Sequence, residues 1–273
     1  MKKSIVVMMT ASMLVLAACG SNKEEKPKVI EQVIPADLTE ATTAYKTEVL
    51  TQMTPFLEDI MLLEQYINED KLEEAKKLYP LVHMYVERLQ PLKTSFSDKF
   101  AEIDAVLQEG KELDGKGFHA VEYSLFEAQA TADIKDVVAA LVKDVKELTN
   151  ELAQSQLDGQ NVLNGTSAML QETIERKLAG TGTSYASTQV YDVKATVEGT
   201  LQVVEAFKKR AGETETNALA SKLTAVNEVI AYYEVGKEDY VNYSFFTSTQ
   251  KQELMQAMTE VKEAFDAFNQ SIK

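Results

Sequence analysis

Apolar residues recur every three or four positions along most of the chain, which is the spacing that predicts amphipathic α-helices. The segment 249–272 has an apolar stripe at Leu254, Met258, Val261, Phe265 and Phe268. The segment that follows the loop 180–184 has another, at Val190, Val193, Val197, Leu201 and Val204. We interpret these stripes as faces buried in a helical core and not as the lining of a cofactor site.

The same spacing predicts helices over about 37–67, 70–89, 97–108, 117–130, 131–156, 159–178, a segment after 184, 214–235 and 249–272. Pro55 is expected to kink the first of these helices, and Pro80 is expected to break the second. Asp70 and Glu73 have the spacing of a capping box at the start of the second helix. Long helices with short connections are typical of antiparallel bundles, so we predict an all-α fold.

The composition supports a helical globular protein. The chain of 273 residues is 45% hydrophobic and 26% charged, and it has 11 glycines and 5 prolines. These are too few turn residues for a sandwich or barrel built from many short strands.

The N-terminal segment predicts a lipoprotein signal. Lys2 and Lys3 precede an apolar stretch that is too short to span a bilayer, and 16–19 reads Leu-Ala-Ala-Cys, as in a lipobox. Cys19 is the only cysteine, which favours lipid attachment over an incidental thiol in an ordinary secretory signal. We therefore predict a signal peptide at 1–18, lipidated Cys19 with a flexible tether at 19–35, and a helical domain at 36–273, held at the extracytoplasmic face of the cell membrane.

The net charge of the chain indicates which kinds of partner it can bind. The formal net charge is −15, which argues against nucleic acid and is compatible with attracting cations, although solubility alone also explains it. Without Cys19, no thiol remains for disulfides, thiolate metal sites or cysteine catalysis.

One short motif carries candidate metal chemistry. His119 and Glu122 are three residues apart, so a helix places both on one face, where they could provide part of a metal shell. Glu87 and Asp104 lie on helices predicted upstream and could complete it. On spacing alone, however, solvated surface charge is the simpler interpretation of these two carboxylates.

Catalytic motifs are poorly supported. The residue after Glu122 is Tyr123, where an inverted zinc-protease motif requires histidine, and the chain contains no Gly-x-Ser-x-Gly elbow and no phosphate-binding loop. With His83 and His119 as its only histidines, the sequence does not indicate a Ser-His-Asp triad.

The residues at 117–122, Gly-Phe-His-Ala-Val-Glu, resemble the Gly-x-His-x-x-Glu motif of the imelysin-like family, which includes the EfeO and EfeM proteins of bacterial iron uptake. The resemblance continues upstream at 86–91, which is similar to the family's Tyr-Glu-Arg-Ile-Glu-Pro, and at 100–104. It continues downstream at 165–172, 177–180, 185–188 and 192–199, and it covers essentially 36–273.

The resemblance implies a helical fold of two four-helix-bundle-like halves with a metal site beside the motif. Carried over by position, the implied metal ligands are His119, Glu122, Glu87 and Asp104, with Gln90 and Glu172 as possible additional site residues. Gln90 stands where the family usually has a second glutamate, which should weaken the site or change its preference among iron, zinc and copper. The chain resembles the short form, without the N-terminal cupredoxin domain of longer EfeO proteins.

The implied function is the extracytoplasmic binding of iron by a lipid-anchored protein, for delivery to an iron permease that works with a haem peroxidase. Two alternatives stay open at this point. One is an imelysin-type metallopeptidase, in which a metal-activated water would need a general base besides the ligands. The other is a structural surface lipoprotein whose metal motif is vestigial.

Overall fold

Long α-helices make up most of the computed structural model, which describes residues 37–108, 110, 112–180 and 184–273. The α-helices in these ranges are α1 (Thr39–Asn68), α2 (Leu72–Leu89), α3 (Ser97–Ile103), α4 (Gly117–Glu122), α5 (Lys135–Gln154), α6 (Gly159–Glu172), α7 (Gln189–Phe207), α8 (Glu213–Ala231) and α9 (Ser248–Gln270). A small antiparallel hairpin of β1 (Glu234–Gly236) and β2 (Asp239–Tyr240) connects α8 to α9. The predicted signal peptide, Cys19 and the whole of the predicted tether lie outside the described residues.

Shorter helical turns join or extend these helices. The 3₁₀ turns are Gln90–Leu92, Glu112–Asp114, Ala132–Ile134 and Tyr243–Phe245. Two π-helical turns extend α4 and α6, at Tyr123–Glu127 and Thr173–Leu178 respectively. Among the helices described, none has the length and apolar character needed to cross a membrane.

The core is continuous and follows the predicted stripes closely. All five apolar residues of the α9 stripe are fully buried. On α1, Leu50 and Leu57 are only partly buried. The buried face of α1 instead repeats at Tyr45, Val49, Met53, Phe56, Ile60, Leu63 and Ile67.

Two groups of helices share this core. One group contains α1, α2 and α5 with the short α3 and α4, and the other contains α6, α7, α8 and α9. The groups are joined because α7 packs on both α1 and α2. The predicted all-α fold is confirmed, and both groups of helices belong to one compact unit.

Three local predictions are wrong. Pro80 lies inside α2 without ending it, because tertiary packing buries Pro80 and offsets the missing backbone donor. The capping box at Asp70 is absent: Asp70 has a positive φ of 56°, and its carboxylate accepts from Thr131 and pairs with Lys135. The third helix ends at Ile103, earlier than predicted, and this places Asp104 at its C-terminal cap.

Two glycines set the close helix contacts around this cap. Gly117 has a φ of +72°, and a Cβ there would lie 2.5 Å from the carbonyl oxygen of Ile103. The start of α4 can therefore lie directly against the end of α3. A Cβ on Gly165 of α6 would collide with the carbonyl oxygen of Pro91, so α6 can approach the turn that follows α2.

Candidate metal centre

A buried polar cluster begins on α2. His83 and Glu87 are one helical turn apart, and the His83 Nε2 atom lies 3.6 Å from Glu87 Oε1. From the other half of the fold, Asp192 on α7 faces the same ring, with Oδ1 at 3.3 Å from His83 Nδ1. One ligand atom from each of these three side chains lies within 4.8 Å of the other two, a spacing that a metal ion could bridge.

A second part of the cluster contains the residues of the predicted motif. His119 lies between two carboxylates: its Nε2 is 3.4 Å from Asp104 Oδ1, and its Nδ1 is 3.3 Å from Glu122 Oε2. The His119 side chain is 26% exposed, whereas those of Asp104 and Glu122 are 8% and 5% exposed. The structure therefore brings Asp104 to His119 and excludes the interpretation of Asp104 as a solvated surface charge.

The two parts adjoin, because the ring centroids of His83 and His119 are 6.0 Å apart. A cavity of about 40 Å³ lies between them. It has space for a single ion or for about one water molecule. Its lining consists of His83, His119, Glu122, Lys177, Ser184, Thr188, Gln189 and Asp192.

Glu122 is held by a loop from the second half of the chain. Its Oε1 accepts hydrogen bonds from the backbone N–H groups of Tyr185, at 3.1 Å, and Ala186, at 3.0 Å. This loop is in turn fixed by the segment before α9, where the Asn242 side chain donates to the carbonyl of Ala186 and the Tyr243 N–H donates to the carbonyl of Ser187. One carboxylate oxygen therefore anchors Glu122, while the other faces His119.

Lys177 supplies a positive charge to the inner part of the cluster. It lies on the π-helical turn after α6, and its ammonium group contacts Glu87 Oε2. Burial disfavours the charged form of Lys177, but the charges of Glu87 and Asp192 outweigh it and raise the pKa of Lys177. For Glu87 the balance is opposite: burial raises its pKa, and Lys177 only partly opposes that rise. The other π-helical turn, Tyr123–Glu127, directly follows Glu122. Both π-helical turns therefore border the cluster.

Gln90 and Glu172 lie at the outer side of the polar cluster. The Gln90 side-chain amide donates to Asp104 Oδ2 at 2.7 Å, which places Gln90 among the polar groups around Asp104. Glu172 reaches the group through Lys93, whose Nζ is 3.5 Å from Glu172 Oε2 and 3.7 Å from Asp104 Oδ2. Arg176 also pairs with Glu172, which is partly exposed.

Seven buried side-chain atoms have no hydrogen-bond partner among the described residues, and four of them belong to the cluster or line its cavity: His83 Nε2, Glu87 Oε2, Gln90 Oε1 and Gln189 Oε1. Of these four, Glu87 Oε2 contacts the ammonium group of Lys177. Such atoms are rare in folded proteins and indicate a missing ligand such as an ion or water. Imidazole nitrogen and carboxylate oxygen are donors that suit iron, zinc and manganese. The cluster therefore fits a transition metal.

Three residues of the polar cluster were not predicted from the sequence. His83 was treated only as a second histidine, and Asp192 and Lys177 were not assigned to the site. The His83-x-x-x-Glu87 spacing on one helix face was an available signal. The contacts among these residues cross about 90 to 110 positions of sequence and could not be read from spacing.

Protons and lysines neutralise the carboxylates when no metal is bound. Burial disfavours a charged His119, but hydrogen bonds to Asp104 and Glu122 outweigh it and raise its pKa to about 10. Burial likewise opposes protonation of His83, and Asp192 and Glu87 reverse the effect and raise its pKa. Burial by itself would raise the pKa of Asp104, but its hydrogen bond to His119 and the nearby charges of His119, His83 and Lys93 together lower it.

We expect the stability of the metal-free protein to fall between pH 7 and pH 10 through His119. Its pKa rises from 6.5 in the unfolded reference to about 10 in the fold, so the stabilisation is fully present below pH 6.5 and is lost as the pH approaches 10. Urea denaturation in the presence of a chelator should show that the difference in unfolding free energy between wild type and His119→Gln shrinks over this range.

The comparison variant for that experiment is Asp104→Asn, which keeps His119 but removes its strongest partner. It should reduce the same pH dependence. A wild-type minus His119→Gln difference that stays constant from pH 6.5 to pH 10 contradicts the prediction.

Comparison with known proteins finds relatives that match most of the chain. The Efem/EfeO family lipoprotein of Staphylococcus haemolyticus (strain JCSC1435) is 30% identical over 282 aligned positions, which cover 96% of each chain. The Efem/EfeO family lipoprotein of Staphylococcus aureus (strain NCTC 8325 / PS 47) is 29% identical over 218 positions and 77% of each chain. The model of the imelysin family, Peptidase M75, matches residues 28–270. The chain therefore belongs to the imelysin family.

Proposed function

We propose that the protein is a membrane-anchored, extracytoplasmic lipoprotein that binds iron and delivers it to a permease in an Efe-type uptake system. The observation that carries the proposal is the convergence of four buried carboxylates and two imidazoles, in which His83 Nε2 has no hydrogen-bond partner among the described residues. The relatives' names support the assignment to this kind of system.

In this proposal the cargo binds among Glu87, Asp104, His119 and Glu122, and His83 and Asp192 are further candidate ligands. A cation that binds an imidazole must replace its proton. Both histidines have raised pKa values, so metal uptake would release protons and cation binding would strengthen as the pH rises. Zinc and copper fit the same nitrogen and oxygen donors, and iron is preferred here because of the relatives.

Delivery needs a site from which the metal can leave. Gln90 supplies a neutral amide where relatives are expected to have a second carboxylate, and the cluster opens to water near Lys93 and Glu172, whose side chains are 42% and 30% exposed. The receiving permease, and a haem peroxidase beside it, are inferred from the family alone. These features suit a protein that binds and releases a cation better than one that keeps a resident cofactor.

Hydrolysis of peptides has weaker support. Glu122 Oε1 is engaged by two backbone amides and Oε2 faces His119, so this carboxylate is poorly placed to act as a general base on a metal-bound water. A purely structural role for the cluster is the remaining alternative, and metal titration distinguishes it.

Isothermal calorimetry with Zn²⁺, as a redox-stable probe, and with Fe²⁺ under anaerobic conditions tests the proposal on the purified full-length protein. Wild type should bind one ion at the cluster. His119→Ala and the nearly isosteric Glu87→Gln should each weaken binding by about tenfold or more, because each removes one donor.

Glu260→Gln removes one carboxylate charge at a distant pair with Lys222, so it should bind like wild type. No metal-dependent heat with wild type refutes the proposed function and favours the structural alternative. An equal loss of metal affinity in Glu260→Gln and Glu87→Gln would show that binding depends on net charge alone.

Gln90→Glu should tighten Zn²⁺ binding by about tenfold, because it adds a charged oxygen donor beside Asp104. The same change should lower the stability of the metal-free protein, since two carboxylates then lie where the Gln90 amide donates at 2.7 Å. Calorimetry and urea denaturation measure the two effects. Gln252→Glu on the exposed face of α9 is the control and should change neither; unaltered affinity in Gln90→Glu contradicts a role for this position.

The anchor is tested separately. If Cys19 carries the lipid, Cys19→Ala should move the protein from the membrane fraction to the soluble or secreted fraction after cell fractionation and immunoblotting. His119→Ala is the matched control and should stay in the membrane fraction. A Cys19→Ala protein that remains with the membrane contradicts the lipidation site and leaves the metal site untouched.

A further inference from the structure

Lys93 is held close to the metal cluster by a rigid stretch of backbone. It directly follows the 3₁₀ turn Gln90–Leu92, and its N–H donates to the carbonyl of Gln90 at 3.0 Å. Pro91 lies inside this turn and packs against Gly165 of α6 without room for a Cβ between them. The backbone position of Lys93 is therefore fixed, and only its long side chain is free to move.

The Lys93 ammonium group lies between two carboxylates. Its Nζ atom is 3.7 Å from Asp104 Oδ2 and 3.5 Å from Glu172 Oε2. Asp104 is a predicted ligand whose side chain is 8% exposed, so a positive charge from the solvent side lies against a buried anion. This is also where a cation that enters from solvent would meet Asp104.

The exposure of Lys93 makes it displaceable. Its side chain is 42% exposed, whereas that of Lys177, the other lysine of the cluster, is 20% exposed and contacts the buried Glu87. A lysine ammonium is a hydrated point charge on a flexible stem and forms no bidentate pair, so it can swing into water at low cost. Neither carboxylate is left without a partner, because Asp104 keeps His119 and Glu172 keeps Arg176.

We propose that Lys93, which Glu172 holds beside Asp104, is a displaceable counter-cation that competes with the metal for Asp104. This inference rests on the proposed function. When the metal binds, the ammonium group moves into solvent; when the metal leaves, the ammonium group returns and closes the two ion pairs again. Lys93 thereby weakens the affinity of the site and speeds release of the cargo.

Lys93→Met tests this by removing the charge while keeping an unbranched side chain. In wild type the metal must displace the ammonium group from its two ion pairs, so removal of these pairs should make Zn²⁺ binding about tenfold tighter. Release of Zn²⁺ into excess chelator, followed by stopped flow, should slow by a similar factor. Lys93→Arg retains the charge and can pair with a carboxylate through two hydrogen bonds, so it should bind Zn²⁺ no more tightly than wild type.

Lys222→Met is the matched control, because Lys222 is 46% exposed and forms an interhelical ion pair with Glu260 away from the cluster. It removes the same charge and should leave affinity and release unchanged. If Lys93→Met does not fold, Lys93→Gln is used in its place. It should likewise bind Zn²⁺ more tightly and release it more slowly than wild type.

The outcomes separate this inference from the proposed function. Wild type that binds no Zn²⁺ overturns both. Wild type that binds Zn²⁺ while Lys93→Met and Lys93→Gln bind and release it unchanged overturns only the role of Lys93. Tightening in Lys93→Arg or Lys222→Met to the extent seen in Lys93→Met also overturns it, because position or overall charge would then be the cause.

Discussion

The burial of carboxylates inside a helical bundle is the constraint on which the rest of the site depends. An isolated carboxylate is strongly destabilising in an apolar interior, so each of Glu87, Asp104, Glu122 and Asp192 must be matched by a cation or by hydrogen-bond donors. The fold meets this requirement with groups from both of its halves: the imidazoles of His83 and His119, the ammonium group of Lys177, and the backbone amides of Tyr185 and Ala186. The cluster therefore joins the two halves chemically as well as by packing.

Backbone features that look incidental acquire a role under this constraint. Gly117 lets α4 begin against the end of α3, which brings His119 to Asp104. Gly165 lets α6 pack on Pro91, and this fixes the turn between Gln90 and Lys93. The π-helical turns after α4 and α6 follow Glu122 and contain Lys177, respectively. Irregular helix geometry thus occurs where side chains must converge, as is frequent at functional sites.

Much of the fold followed from periodicity, and about half of the cluster followed from motif and resemblance. Helical spacing predicted the all-α architecture and the buried face of α9, because local patterning dominates in long amphipathic helices. It failed at Pro80 and Asp70, where tertiary contacts decide the local structure. Of the four predicted ligands, His119 contacts Asp104 and Glu122. Glu87 instead contacts His83 and Lys177 in the adjoining part of the cluster. Asp192 and Lys177 were missed, since their place in the site depends on how α7 and the turn after α6 pack against α2, and spacing within one helix carries no information about that.

The balance of charge in the cluster is also what makes exchange of a cargo physically reasonable. A site that was strongly anionic when empty would destabilise the fold, and a site already neutralised by fixed, buried cations would exclude a metal. Here the compensating charges are of three kinds: the proton on His119 that can dissociate, the partly exposed ammonium of Lys93, and the more buried ammonium of Lys177. A metal can replace the first two without unfolding anything, because both leave to solvent. The same groups restore neutrality when the metal departs, so the empty and loaded states can both be stable.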